Sequence, residues 1–268
     1  MEKKFTNQKV IKTWPQFARY VRSQGCHLLK RLDEFPGAVL ITGCQRSGGT
    51  MLARIVTNSD GMESYSWGAD DELDAGLVLS GYVNQSNEGR FCFQTTYLNE
   101  CVHEYFEHGS QFKVIWMLRN PSSVVYSMVY NWSRFALNEL FVACGEEWLT
   151  SPYKERYDKY GKFVIGRFRK ACLAYCGKIS QLFILIDKLG PENILVVDYD
   201  ELVAKKDILL PEIYDFIELG YKPEYENAIS TRSIKKSQKL SDKQRRMINV
   251  ICQPSYEKAR NLICEQPR

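Results

Sequence analysis

Apolar residues follow two rhythms along this chain, and their alternation outlines its architecture. Short unbroken runs at 38–42 (AVLIT), 112–118 (FKVIWML) and 194–197 (ILVV) read as strands buried on both faces, and 90–95 (RFCFQT) as a shorter one. Between them the apolar positions recur at helical spacing. In the N-terminal helical segment 1–36, Trp14, Phe17, Tyr20, Val21, Leu28 and Leu29 form one stripe that ends before Pro36-Gly37. Met51, Leu52, Ile55 and Val56 form another, stopped by the turn cluster 58–61 (NSDG). Further helices are predicted over 97–106, from Pro121 toward Trp132, over 163–189 and 207–219, and from Ser241, which makes a capping box with Gln244. The 163–189 stripe runs through Phe168, Leu173, Tyr175, Ile179, Leu182, Phe183 and Ile186, and Gly190-Pro191 closes it.

Two stretches carry neither rhythm: 61–90, rich in Gly, Ser, Asn and Asp, and 133–162, polar with scattered aromatics. Irregular segments of that length inside a compact domain tend to be functional, so both are expected as loops of a binding site, the second as a lid or wall. The alternation of β and α units implies an α/β fold: one domain, 1–268, around a central parallel sheet covered on both faces and joined by right-handed crossovers.

Composition narrows the class. With 36 basic and 32 acidic residues the net charge is +4, too small to make nucleic acid a partner but compatible with a local anion site. The N-terminal residues lack the apolar core of a signal peptide and no run is long enough to span a bilayer, so a soluble, cytoplasmic protein without membrane contact is expected. Nine cysteines, an odd number without a CxxC pair, fit reduced and buried thiols better than a disulfide framework. His103 and His108, in HEYFEH, lie on different faces of any helix, and no metal site is expected from them.

Candidate chemistry sits at two strand-to-helix junctions. The first, AVLITGCQRSGGTML at 38–52, passes from a strand through a glycine-rich turn into a helix whose first amides have no intrahelical partner and sit at the positive end of its dipole, a cradle for phosphate. Gly43, Gly48 and Thr50 keep the spacing of a Walker A loop, but Gly49 stands where its lysine would be, which argues against γ-phosphoryl transfer. Arg46 supplies a cation inside the loop instead. At the second, FKVIWMLRNPSSVVYSM at 112–128, Arg119 ends a strand, Asn120 can cap, Pro121 can open the helix, and Ser127 lies about two turns in. Both corners could approach one anion in the crevice beyond the strand ends.

Together the two segments resemble the sulfotransferases that use 3′-phosphoadenosine 5′-phosphosulfate (PAPS). QRSGGT at 45–50 is similar to that family's 5′-phosphosulfate loop, RNPSSVVYS at 119–127 to its 3′-phosphate motif, and ILVVDYDEL at 194–202, more weakly, to a later strand. The resemblance covers roughly 38–250. It implies a three-layer α/β/α fold of the P-loop sulfotransferase type, PAPS as cofactor, adenosine 3′,5′-bisphosphate (PAP) as product, and no metal. By the same resemblance, Arg46, Ser47, Gly48, Gly49, Thr50 and Met51 would hold the 5′ end, with Arg46 stabilising the leaving group. Arg119 and Ser127 would hold the 3′-phosphate, with Lys235 and Lys236, and Arg232 beside them, adding positive charge; Tyr199 would line the adenine pocket. The histidine of the Lys-Thr-His motif found in many members is missing from FQTTYLN at 93–99. A carboxylate is therefore expected as general base: Asp71 first, then Asp70 and Glu72, with Glu63 and Asp74 nearby. The cluster WGADDELDAG, with Trp67 and Tyr65 close by, points to a cationic small-molecule acceptor bearing an amine or guanidine, as natural-product tailoring enzymes handle; a saxitoxin-like alkaloid is one such molecule. The rival readings are a P-loop small-molecule kinase and a non-catalytic nucleotide-binding module.

Overall fold

The structure, a computed structural model, describes residues 11–23, 25, 28–65, 70–109, 112–229 and 234–265, with backbone alone at 22, 98–101, 234–236 and 265. Four strands form one sheet: β1 (Val39–Gly43), β2 (Cys92–Gln94), β3 (Lys113–Leu118) and β4 (Ile194–Asp198), in the order β2-β1-β3-β4, all parallel. Val39 stands opposite both Cys92 and Lys113, and Val114 opposite Ile194. Because β1 and β3 are neighbours in register to Gly43 and Met117, the two junctions read from the sequence leave the sheet side by side. This placement creates the site.

Side chains alternate across each strand and so divide into two cores. Val39, Ile41, Ile115, Met117 and Val197 pack against α2 (Gly49–Thr57), α8 (Tyr199–Ala204) and α9 (Lys206–Phe216). Leu40, Val114, Trp116, Leu118 and Val196 pack on the other face against α1 (Trp14–Ser23), α3 (Asp71–Leu79), α4 (Pro121–Tyr130) and α7 (Arg167–Leu189). The result is the three-layer α/β/α arrangement.

Several boundaries differ from the sequence reading. The 61–90 stretch is not irregular throughout, because α3 lies within it. Asp70 caps α3 by accepting from the Leu73 amide at 3.2 Å, and Asp71, Glu72 and Asp74 fill its first turn, where negative charge suits the dipole. That acidic start hides the apolar Leu73, Leu77, Val78 and Leu79, which reach the core. The 133–162 stretch contains α5 (Arg134–Leu140), a π turn at Phe141–Gly145 and α6 (Tyr153–Tyr160). The 97–106 helix is a 3₁₀ run, Leu98–Phe106. The long helix α7 starts at Arg167, leaving Phe163 exposed outside it. The capping box of Ser241 and Gln244 is present, but Pro254 cannot continue the helix it opens, so two form: α10 (Asp242–Ile251) and α11 (Gln253–Glu265). Among the described residues, no helix is long and apolar enough to cross a membrane.

Candidate active site

The turn after β1 is set by backbone conformations that few residues adopt. Gly48 has φ 94°, and a Cβ there would overlap the Tyr199 ring, so glycine is required both for the turn and for the close approach. Arg46 has φ 73°, in the left-handed region that costs a non-glycine residue about 1–3 kcal/mol. In that conformation the Arg46 Nε donates to Ser127 Oγ at 3.0 Å. Arg119 Nη1 in turn donates to the Arg46 carbonyl at 3.1 Å. The two junctions, far apart in sequence, are thus joined directly.

Arg119 is held from several sides. Its guanidinium lies over the Tyr199 ring at 4.2 Å, Asp200 Oδ1 is 3.7 Å from its Nε, and Tyr175 OH donates to its carbonyl at 2.9 Å. Asn120 and Pro121 open α4 as the sequence predicts, Asn120 Oδ1 accepting from the Ser122 amide at 2.9 Å. Burial pulls the Arg119 pKa down, Asp200 opposes it, and the neighbouring Arg46 guanidinium adds to the fall. Two guanidiniums in one partly buried crevice suit an anion, which would relieve their repulsion. The first amides of α2, which have no intrahelical partner, also fit one.

Arg46, Gly48, Gly49, Thr50, Arg119, Ser127 and Tyr199 all line one cleft of about 390 Å³. Ser47 is buried behind the loop, and Met51 turns into the core beneath α2; neither lines the cleft. The 3₁₀ turn Ile234–Lys239 packs against α4, but the side chains of Lys235 and Lys236, and all of Arg232 and Trp67, lie outside the described residues. Cys44 also borders the cleft, and burial pushes its thiol well up, away from a reactive thiolate.

A second cavity of about 340 Å³ adjoins the first, sharing Gln45, Arg46, Thr50, Glu72, Gln94 and Trp132 with it. Its apolar walls include Trp14 and Phe17 of α1, Tyr97, and Phe135 of α5, and its acids are Asp70, Asp71, Glu72 and Glu139. The three acids expected as bases have different surroundings. Asp71 is 2.5 Å from Arg54 in an ion pair. Asp70 caps α3 and accepts from Trp14 Nε1 at 2.7 Å. Glu72 is half-buried at the border of the two cavities; its Oε1 accepts from Thr96 Oγ1 and its Oε2 lies 3.5 Å from Gln94 Nε2. Burial chiefly, with help from Asp70, pushes its pKa up to about 7 against the Thr96 hydrogen bond and the Lys178 charge.

Gln94, Thr96, Lys178 and Trp132 are not singled out from the sequence; Gln45 stands in the QRSGGT motif and Trp14 in the first apolar stripe, without an assigned role. Lys178 does leave a trace: it occupies the apolar face of α7, between Tyr175 and Leu182.

Among curated proteins, none matches the sequence. A sulfotransferase from Alicyclobacillus acidocaldarius superposes with a TM-score of 0.51 at 14% identity, over 84% of this chain and 94% of that one. A mouse sulfotransferase complexed with PAP does so with 0.51 at 15% identity, over 88% and 92%. These two show the fold. The sulfotransferase-domain family model matches residues 36–250, and the chain belongs to that family of enzymes.

Proposed function

We propose that this enzyme transfers a sulfuryl group from PAPS to a hydroxyl or an amine or guanidine nitrogen of a small molecule. The observation that carries the donor assignment is the contact between the two junctions, Arg46 Nε to Ser127 Oγ and Arg119 Nη1 to Arg46 O, which brings both cations to one cleft. The PAP in the mouse relative is consistent with the same donor. PAPS supplies an activated sulfuryl group: as its sulfur bonds to the acceptor, the S–O bond to the 5′-phosphate breaks and the electron pair stays on that phosphate.

The chain's residues prepare for that charge. Arg46, the Thr50 hydroxyl and the loop amides stand where negative charge develops, already oriented, and a guanidinium can contact two oxygens at once. Arg119 and Ser127 bind the 3′-phosphate, with Lys235 and Lys236 in support, while Tyr199 backs the nucleoside. Glu72, rather than Asp71 or Asp70, takes the acceptor's proton at Oε2: it alone of the three borders both cavities, and Asp71 and Asp70 are engaged by Arg54 and by Trp14 with the α3 cap. Its pKa of about 7 suits a base working near neutrality.

The second cavity indicates the acceptor. Gln45 Oε1 and Gln94 Oε1 are buried at its edge without hydrogen-bond partners, and both are acceptors. With Asp70, Glu72 and Glu139 they call for a ligand rich in N–H donors, and Trp14 and Trp132 offer faces to a cation. An amine- or guanidine-bearing natural product, of which a saxitoxin-like alkaloid is one type, meets both needs. The test is thermal stabilisation by PAP, ADP and Mg-ATP, where a ligand at one hundred times its Kd adds about 2.7 kcal/mol. PAP is expected to stabilise most. Stronger stabilisation by Mg-ATP would replace this reading with a P-loop kinase.

A further inference from the structure

Helix α7 carries a lysine where its apolar face should continue. Lys178 is 0% exposed, packed into the layer between α7 and the sheet. A buried ammonium is costly by several kcal/mol unless it has partners. Its Nζ donates to the backbone carbonyl of Thr96. The same carbonyl accepts from Gln45 Nε2 at 3.1 Å, and the Thr96 hydroxyl donates to Glu72 Oε1. Thr96 therefore ties the phosphate loop, α7 and α3 to a single residue beyond the end of β2.

We infer that Lys178 is a positioning residue for sulfuryl transfer: it fixes Thr96 against the phosphate loop and supplies, from beneath the cleft, the positive charge that keeps Glu72 a carboxylate. This rests on Glu72 being the base. Lys178 lines neither cavity, so it acts on the site through Thr96 and through its field. Other charged and titratable groups face the same cavity, Glu139 from α5 and, behind Tyr97, Tyr65 and Tyr105 among them. Asp70, on the same helix, favours the neutral acid, as burial does. Asp71 is turned to Arg54, and Arg46 stands across the cavity by Ser127. Tyr97 feels both Glu72 and Glu104, but burial holds its hydroxyl protonated; Glu104 accepts from the Leu29 amide at 2.6 Å. Cys44 also feels Lys178 and stays a thiol. Lys178 is thus the cation that acts on Glu72 from the protein side of the site.

The experiment is a ¹³C NMR titration of the Glu72 carboxyl in the full chain, without cofactor, for the native protein and for Lys178→Met, Lys178→Gln and Lys178→Arg. The native carboxyl is expected to titrate at about 7. Without the lysine charge its midpoint should rise by about one pH unit or more, in the Met variant and equally in the Gln variant, which can still donate to Thr96. The Arg variant, which keeps the charge, should stay near native. The ascending limb of kcat/KM for ³⁵S transfer from PAPS should move in the same order. If the Met variant does not fold, the Gln variant decides. A Glu72 midpoint unmoved in a folded Met or Gln variant overturns the proposal, as does activity lowered evenly at all pH values. Glu72→Gln separates the two claims. Full turnover by that variant would remove Glu72 as the base, while the cofactor-free titration still decides whether Lys178 governs its charge.

Discussion

The two cavities that meet at Glu72 are made in opposite ways. The cleft proposed for the donor is built where strands stop: residues 44–50 after β1, Arg119 to Ser127 after β3, and Tyr199 after β4. Its geometry is fixed by backbone, by a parallel register and by helix starts, all of which short sequence segments specify. The cavity proposed for the acceptor is built where helices dock, with Trp14 and Phe17 from α1, Arg54 from α2, Asp70 to Glu72 at the start of α3, and Phe135 and Glu139 from α5. No segment of the chain contains it. Trp14 and Phe17 even precede residue 36, where the family match begins. On the reading proposed here, the donor is handled at the sheet ends, whereas the cavity proposed for the acceptor depends on side chains that each helix brings from its own part of the sequence.

The most severe break of this contrast is Arg46→Ala, which removes the one side chain that bonds across the two junctions and borders both cavities. Turnover is expected to fall about 10²–10³-fold, the usual loss for one donor placed against developing charge. PAP stabilisation should weaken less, because the loop amides and Arg119 remain. Turnover within tenfold of native would show that the cleft works without a bridging cation.

The contrast also explains what was legible before the structure. The sheet strands, both strand-to-helix junctions, the Asn120 cap and the Ser241 capping box could all be read, because each depends on residues within a few positions of one another. Glu72 was named but ranked behind Asp71, since WGADDELDAG presents its acids as equals. Only docking of α3 against β2 and the phosphate loop separates them, turning Asp71 to Arg54 and Glu72 to Thr96. Gln45, Gln94 and Thr96 were illegible for a related reason: a polar residue at a strand end becomes functional only when three elements converge on it.

A milder break is Trp14→Ala. Trp14 packs against Tyr97 at 5.1 Å and Phe17 at 5.6 Å, and donates to Asp70 at 2.7 Å. Its loss should raise the acceptor KM about tenfold, on the scale of one aromatic contact with a cation together with its hydrogen bond, measured with the best amine or guanidine from an acceptor panel. PAP stabilisation should not change, and Trp14→Phe should recover part of the loss. If PAP stabilisation falls equally, the two cavities are one energetic unit and the contrast is lost.

The smallest expected effect is the most discriminating between the carboxylates. Asp71→Asn removes the charge from the residue that the sequence favoured as base, while leaving Glu72 and its Thr96 contact in place. The Arg54 side chain of the Asp71 pair is 61% exposed, and such pairs contribute about 0.2–1 kcal/mol, so stability should drop by no more than that and turnover should stay within about fivefold of native. The Asp71 backbone carbonyl still accepts from Tyr65 OH in the variant, which keeps the start of α3 in place. A fall in kcat beyond a hundredfold, with the pH profile flattened, would return the proton to Asp71. It would also make Arg54, rather than Lys178, the cation that governs the base, and the buried side of the site would become scaffold alone.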